Sequence, residues 1–113
     1  MNRRGEAAES LAAAFLQARG LTVTERNYRC RFGEIDIVAR DGATLVFVEV
    51  RRRKSDAFGG PAESITAAKR AKIIRAARHY LSGRRSAPPC RFDAVLIHGE
   101  PPRIEWIRNA FGE

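Results

Sequence analysis

Two acidic residues lie in neighbouring segments that both alternate between apolar and polar residues, as β-strands do. Asp36 belongs to the segment 34–39, and Glu49 belongs to the segment 44–52. Carboxylate oxygens are the ligands that hard divalent ions such as Mg²⁺ and Mn²⁺ prefer. If the two segments pair as a hairpin, the sequence predicts that Asp36 and Glu49 hold such an ion.

Asp41-Gly42 separates the two segments and is a strong signal for a two-residue turn, because both central positions of a type I′ turn need a positive φ. Counting outwards from this turn pairs Glu34 with Glu49. Asp36 and Glu49 then become diagonal neighbours, whose side chains can converge. Alternation predicts two faces, one with Ile35, Ile37, Ala39, Thr44, Val46, Val48 and Val50, and one with Glu34, Asp36, Val38, Leu45, Phe47, Glu49 and Arg51.

The acidic face allows two interpretations. Opposed carboxylates such as Glu34 and Glu49 repel each other unless a cation lies between them. That cation is either a metal ion or an arginine, since Arg51 and Arg52 lie two and three residues after Glu49. The residues alone leave both interpretations open.

Basic residues predominate in the chain. Twenty-one Lys and Arg against thirteen Asp and Glu give a net charge of +8 and a pI of about 10.7. Such an excess favours a polyanionic partner, although it can also serve solubility. The second strand of the predicted hairpin ends in three basic residues close to the acids, and we expect these to bind nucleic-acid phosphates without reading sequence. They are Arg52, Arg53 and Lys54.

The remaining sequence divides into elements that would position this hairpin within a single domain, residues 1–113. Helical spacing, strand alternation and Gly or Pro at the boundaries predict a mixed central sheet flanked by helices, in the order α-β-β-β-α-β-(β). The predicted elements are a helix over 5–19, strands over 21–31, 34–39 and 44–52, a helix from Pro61 to about Ser82, and strands over 91–98 and 103–108.

The acidic segments resemble the signature of the PD-(D/E)xK nucleases, which have an Asp on one strand and (D/E)-x-K on the next. The matching residues are Gly33-Glu34-Ile35-Asp36 and Phe47-Val48-Glu49-Val50-Arg51. The chain resembles in particular the YraN family of small bacterial proteins, which is similar to archaeal Holliday-junction resolvases. This resemblance covers nearly the whole chain, at Ala8-Glu9 to Leu16, Asn27 to Asp36, Phe58-Gly59, Lys69, Arg91 to Asp93 and Trp106 to Phe111.

The resemblance implies a restriction-endonuclease-like fold and a Mg²⁺- or Mn²⁺-dependent nuclease acting on DNA, with branched and single-stranded DNA among its substrates. It implies metal ligands at Asp36 and Glu49, together with the backbone carbonyl of Val50 and the side chain of Glu9. On a helical wheel Glu9 lies at the edge of the apolar stripe near Leu16. It therefore either reaches the metal or remains a solvated acid favoured by the helix dipole. Similarity to the resolvases also suggests a homodimer.

One residue departs from this signature, because Arg51 stands where the superfamily has its lysine. Arginine keeps its charge and cannot act as a general base, although it can bind a phosphate. Lys69 lies on the apolar stripe of the second helix, where an unpaired charge costs desolvation. It either compensates for the missing lysine or extends past the core into solvent.

Arg51 also separates two hypotheses about function. The first is a nuclease that uses Asp36, Glu49, Arg51 and Lys69 in catalysis. The second is a non-catalytic nucleic-acid-binding protein that retains the nuclease fold. A protein-interaction module fits the acidic face least well.

The sequence also predicts where the protein works. Two cysteines, Cys30 and Cys90, lack the number and spacing of a disulfide framework or a zinc site, so we expect reduced thiols in or near the core. No apolar run approaches the roughly 20 residues that span a bilayer, and the first residues lack an apolar signal segment. These features predict a cytoplasmic protein without a membrane partner.

Overall fold

The computed structural model describes residues 3–53 and 65–112. The described part contains two helices and five strands in the order α-β-β-β-α-β-β, which confirms the predicted order and makes the last strand a full element. The elements are α1 (Arg3–Ala18), β1 (Thr22–Cys30), β2 (Gly33–Asp41), β3 (Thr44–Arg53), α2 (Ala67–Leu81), β4 (Cys90–His98) and β5 (Arg103–Phe111).

The five strands form one mixed sheet in chain order, β1-β2-β3-β4-β5. Neighbouring strands are antiparallel except β3 and β4, which are parallel. Parallel neighbours need a crossover connection, and α2 lies in the connection between β3 and β4. The predicted mixed α/β class is therefore confirmed.

The two helices cover opposite faces of this sheet with separate apolar cores. The core beneath α1 includes Ala12, Leu16, Ile37, Val46, Val48 and Val95. The core beneath α2 includes Ile35, Val38, Phe47, Ile73, Ala76 and Leu96. Residues of β2 and β3 contribute to both cores, so these strands are covered on both faces. Polar side chains on them must therefore be paired or line a functional site.

The predicted β2–β3 hairpin forms, but its register is shifted by two residues. Asp41 pairs with Thr44, so Gly42 and Ala43 form the turn. Gly42 has a φ of 61°, and glycine first in a two-residue turn is the pattern of type II′, which needs only one positive φ. Since the shift is an even number, most side chains keep their predicted face. If the observed pairing continued by one further residue pair beyond Ile37 and Val48, Asp36 would lie directly across from Glu49.

The prediction that Ile35 shares a face with Ile37 is wrong. Ile37 belongs to the core beneath α1, whereas Ile35 belongs to the core beneath α2. The observed β2–β3 pairing ends at Ile37 and Val48. Alternation along β2 is therefore interrupted at Asp36, the residue between the two isoleucines.

The start of α2 also differs from the prediction. Thr66 has an extended backbone and caps the helix, and its hydroxyl accepts a hydrogen bond from the N–H of Lys69 at 3.1 Å. The helix begins at Ala67, so the prediction of a continuous helix from Pro61 is wrong at Thr66, and 61–64 lie outside the described residues. Threonine is a favoured N-cap, so this signal is present in the sequence.

The two thiols occupy different environments. Cys30 is half-buried and packs against the core beneath α2, as predicted, whereas Cys90 is exposed. The core prediction is wrong for Cys90 because it is the first residue of β4, ahead of the buried part of that strand. No helix in residues 3–53 and 65–112 is long and apolar enough to cross a membrane.

Candidate functional site

Three carboxylates from two elements converge at the point where the β2–β3 pairing ends. Glu9 comes from α1, and Glu34 and Asp36 come from β2. One oxygen of each side chain lies within 4.8 Å of the others. Glu34 and Asp36 are two residues apart on β2, and they converge although alternation along this strand is interrupted at Asp36. Glu34 is a candidate ligand that the sequence analysis did not assign, although its spacing from Asp36 was a usable signal.

Glu9 is buried within this cluster, with 8% of its surface exposed. It is therefore not the solvated helix acid of the alternative interpretation. Its Oε1 is buried and accepts no hydrogen bond from the described part of the chain. Arg26 Nη2 lies 3.9 Å from this oxygen. Burial, followed by the negative charge of Asp36, raises the pKa of Glu9.

Asp36 is held by the backbone of the neighbouring strand. Its Oδ2 accepts a hydrogen bond from the N–H of Val50 at 2.8 Å. Burial raises the pKa of Asp36, and the hydrogen bond from Val50 opposes that effect. Val50, whose carbonyl is implied as a further metal ligand, thus lies against the Asp36 side chain.

Glu49 lies beside this cluster and has a strongly raised pKa. Its side chain is only 3% exposed, and Arg51 Nε and Lys69 Nζ lie 3.4 and 3.8 Å from its Oε2. Burial is the largest influence and the charge of Asp36 the next, and together they raise the pKa of Glu49 to about 8 despite both cations. Carboxyl groups perturbed in this way are enriched at functional sites.

Lys69 reaches this site from the first turn of α2, one turn before the buried Ile73. Its side chain is 39% exposed, and Arg51 is similarly exposed at 35%. Each cation therefore contacts the buried Glu49 at one side and solvent at the other. Both side chains are partly accessible from solvent.

The contacts between acids and arginines that the alternative interpretation predicts are present, but they are long. Arg51 lies 3.4 Å from Glu49, and Arg29 lies 3.6 Å from the half-buried Glu34. Charge-assisted hydrogen bonds between nitrogen and carboxylate oxygen are usually about 2.7–2.9 Å. Within residues 3–53 and 65–112, these two acids have no ion pair at charge-assisted hydrogen-bonding distance.

The carboxylate of Asp93, in contrast, is fully paired. Asp93 is completely buried, and Arg91 donates to both of its oxygens at 2.9 and 3.0 Å. Trp106 Nε1 and the backbone N–H of Asn109 also donate to it, each at 2.9 Å. Asn109 has a φ of 54°, which turns its N–H towards Asp93 at an irregularity in the β4–β5 pairing. Asp93 is structural and joins β4 to β5.

The predicted phosphate-binding run is described in part. Arg52 is exposed, and its Nη2 lies 3.8 Å from Oε2 of Glu100. The side chain of Arg53 and the whole of Lys54 lie outside the described residues, as does Phe58-Gly59.

Comparison with known proteins gives a consistent result. A model of the Uncharacterised protein family UPF0102 matches residues 8–97. A UPF0102 protein of Nitrosomonas europaea is 63% identical over 111 residues, covering 97% of this chain and 94% of the relative. One from Nitrosospira multiformis is 59% identical over 109 residues, covering 96% and 92%. One from Cupriavidus metallidurans is 53% identical over 110 residues, covering 96% and 81%. The chain therefore belongs to the UPF0102 family.

Proposed function

We propose that this protein is a Mg²⁺- or Mn²⁺-dependent endodeoxyribonuclease of the PD-(D/E)xK type, with a restriction-endonuclease-like arrangement of its elements. The observation that carries the proposal is the convergence of Glu9, Glu34 and Asp36 beside Glu49. The α-β-β-β-α-β order and the mixed sheet support it, since the acids lie on the second and third strands as the signature requires.

The donor set fits a hard divalent ion, because every side-chain donor is a carboxylate oxygen. Glu9 Oε1 is buried without a hydrogen-bond donor among the described residues, and a cation would satisfy it. We assign Glu9, Glu34, Asp36 and Glu49 as the side chains that would hold the ion, with the carbonyl of Val50. When bound, such an ion supplies Lewis-acid stabilisation of negative charge on a reacting phosphate.

The two cations would act on the DNA. Arg51 can donate several hydrogen bonds to oxygens of the scissile phosphate. Lys69 can orient the attacking water or stabilise charge that develops on the phosphate. Their partial exposure leaves both groups accessible to the DNA backbone while Glu49 holds them in place.

The alternative is a non-catalytic nucleic-acid-binding protein that retains the nuclease fold. It is favoured by one observation, namely Arg51 in place of the superfamily lysine, because arginine does not accept a proton from water at ordinary pH. The net charge of +8 supports nucleic-acid binding under either hypothesis. A cytoplasmic location is part of this proposal, since it agrees with a DNA substrate, and similarity to the resolvases suggests a homodimer.

The deciding experiment is a cleavage assay on branched, flapped, single-stranded and duplex DNA, with Mg²⁺, Mn²⁺ or EDTA. We expect metal-dependent cleavage of at least one substrate and its loss in Asp36→Asn. Asp41→Asn, on the same strand but paired with Arg91, is the matched control and should cleave normally. Tight binding without cleavage would establish the alternative. The absence of both binding and cleavage would contradict both hypotheses.

A further inference from the structure

A second surface combines aromatic rings with positive charge. Phe32 lies in the β1–β2 turn and is the only large hydrophobic residue that is exposed in the described part of the chain. The His79 ring of α2 lies 5.8 Å from it, centroid to centroid. We call Phe32, His79 and the basic residues around them the stacking patch; those residues are Arg31, Lys72, Arg75 and Arg84.

The close approach of the turn to α2 positions Phe32. A Cβ added to Gly33 would lie 3.3 Å from the Cβ of Lys72, so glycine allows the turn to rest directly on the helix. Lys72, Arg75 and His79 follow one another at spacings of three and four residues, so they share one face of α2. The turn therefore places Phe32 above the basic face of this helix.

His79 of the stacking patch is anchored to the core through two tyrosines. The hydroxyl of Tyr28 and Nδ1 of His79 share a hydrogen bond at 2.5 Å. Tyr28 packs edge-on against Tyr80 at 5.1 Å, and Tyr80 packs edge-on against the buried Phe47 at 5.8 Å. This chain of contacts holds His79 in place beside Phe32. A ring held in position loses little conformational entropy when a ligand stacks on it.

The charge around Phe32 is suited to a phosphate backbone. The Arg31 guanidinium lies 4.8 Å from the centroid of the Phe32 ring, and Arg84 lies 5.4 Å from that of Tyr80. The helix Ala67–Leu81 carries five Lys and Arg residues and no Asp or Glu. Exposed rings in a cationic surface are the combination with which proteins bind single-stranded nucleic acids.

The stacking patch lies close to the acidic site along β2 and along α2. Phe32 precedes Glu34 by two residues and Asp36 by four, and at roughly 3.3 Å per residue the backbone path from Phe32 to Asp36 is about 13 Å. Lys72 and Lys69 likewise lie about one turn apart on α2. A DNA strand that reaches Asp36 can therefore also reach Phe32.

We propose that Phe32 and His79 stack on unpaired bases of single-stranded DNA whose backbone continues to the acidic site. This inference rests on the proposed function and narrows its substrate class to DNA with an unpaired segment beside the scissile phosphate. Duplex DNA keeps its bases stacked on one another, so it can use the cations of the patch but not its rings.

The test is fluorescence anisotropy with a labelled oligothymidine of about 12 nucleotides and a duplex of the same length, both in EDTA. Phe32→Ala removes the ring on which one base would stack. This loss should weaken single-strand binding roughly 5- to 150-fold. Duplex binding should change by less than about twofold, and Phe32→Trp, which keeps an aromatic ring, should bind the single strand like the wild type. Equal single-strand binding by Phe32→Ala and wild type would overturn the inference, and so would equal losses for both probes.

Two controls separate this inference from the proposed function. Arg31→Ala should weaken single-strand binding, whereas Arg19→Ala should not, although Arg19 also lies over a ring, at 3.7 Å from Phe15 on α1. Equal effects of the two substitutions would contradict a localised patch. Mn²⁺ titration of Phe32→Ala should match the wild type. If metal binding is present and the Phe32 effect is absent, only this inference fails.

Discussion

The carboxylate of Asp36 accepts a hydrogen bond from the backbone N–H of Val50 at 2.8 Å, just beyond the last observed β2–β3 pair. A side chain thus takes the place of a strand carbonyl where the two strands separate. The bond fixes Asp36 relative to the backbone that follows Glu49. The position of Asp36 is therefore set at the end of a β-ladder.

This relationship leads to a prediction about metal binding. Calorimetric titration with Mn²⁺ should show a site that Asp36→Asn removes or weakens by at least about tenfold, because the substitution takes a charged ligand from the ion. Asn keeps a carbonyl oxygen for the Val50 N–H, so the fold should be retained. Asp41→Asn should bind Mn²⁺ like the wild type, and equal binding by Asp36→Asn would refute the metal assignment.

A second prediction concerns stability and pH in the absence of metal. The pKa of Glu49 is raised from 4.5 to about 8 on folding, so folding takes up a proton between these values. The free energy of unfolding should therefore fall as pH rises from about 4.5 to about 8, by at most about 1.4 kcal/mol per pH unit for one group, and level off above. Urea unfolding at several pH values measures the slope, and Glu49→Gln, which cannot ionise, should reduce it.

The same proton gives metal binding the opposite pH dependence. A divalent ion must displace it, so Mn²⁺ affinity should rise as pH approaches 8, by up to about tenfold per pH unit for each proton released. Added Mg²⁺ should then offset the loss of stability at higher pH. A Mn²⁺ affinity that is constant between pH 6 and 8 would contradict the assignment of Glu49 as a ligand.

A third prediction addresses the missing lysine. Lys69→Met keeps an unbranched apolar side chain but removes the charge 3.8 Å from Glu49. It should fold, bind Mn²⁺ and lose cleavage or tight phosphate binding, whereas Lys69→Arg should retain phosphate binding. Arg51→Lys should raise cleavage if a water-activating lysine limits turnover. Normal cleavage and binding by Lys69→Met would make Lys69 a structural residue.

A fourth prediction concerns the salt dependence of DNA binding. Each neutralised phosphate contributes a slope of about −0.9 in log K against log salt for duplex DNA and about −0.7 for single strands. Replacing Arg52 and Arg53 together with alanine should reduce the magnitude of this slope by the contribution of one to two phosphates. Replacing Arg19 and Arg108 with alanine removes the same charge from the turn after α1 and from β5, and should leave the slope unchanged. Binding that is insensitive to salt would contradict the phosphate-binding role.

A fifth prediction concerns Asp93, which receives donors from Arg91, Trp106 and Asn109. Asp93→Ala leaves the Arg91 guanidinium without its buried partner and should lower the free energy of unfolding by about 3–5 kcal/mol. Asp41→Ala removes a more exposed partner of the same arginine and should cost about 1 kcal/mol or less. Chemical denaturation measures both. Similar losses for the two variants would show that Asp93 is not the structural centre of this network.

Some features of the fold could be predicted because local chemistry specifies them. Asp41-Gly42 and the alternation on either side of it indicate a β-hairpin in any context. The exact register could not be predicted, because a type I′ turn over Asp41 and Gly42 and a type II′ turn over Gly42 and Ala43 both suit these residues. The folded chain has the second, in which Asp41 pairs with Thr44.

The residue types of the site, the position of Asp36 and Glu49 on adjacent strands, and the charge that points to a polyanion could all be read from the amino-acid sequence. The convergence of Glu9 and Glu34 on Asp36 could not be read from it, because it depends on how α1 packs against the sheet. The packing of the folded chain brings these acids together. It also decided which acids are neutralised. Asp93 and Glu49 are both strand acids near arginines, but Asp93 has donors at hydrogen-bonding distance and Glu49 has cations only at 3.4 and 3.8 Å. Those distances depend on how distant segments pack, which residue spacing along the chain does not encode.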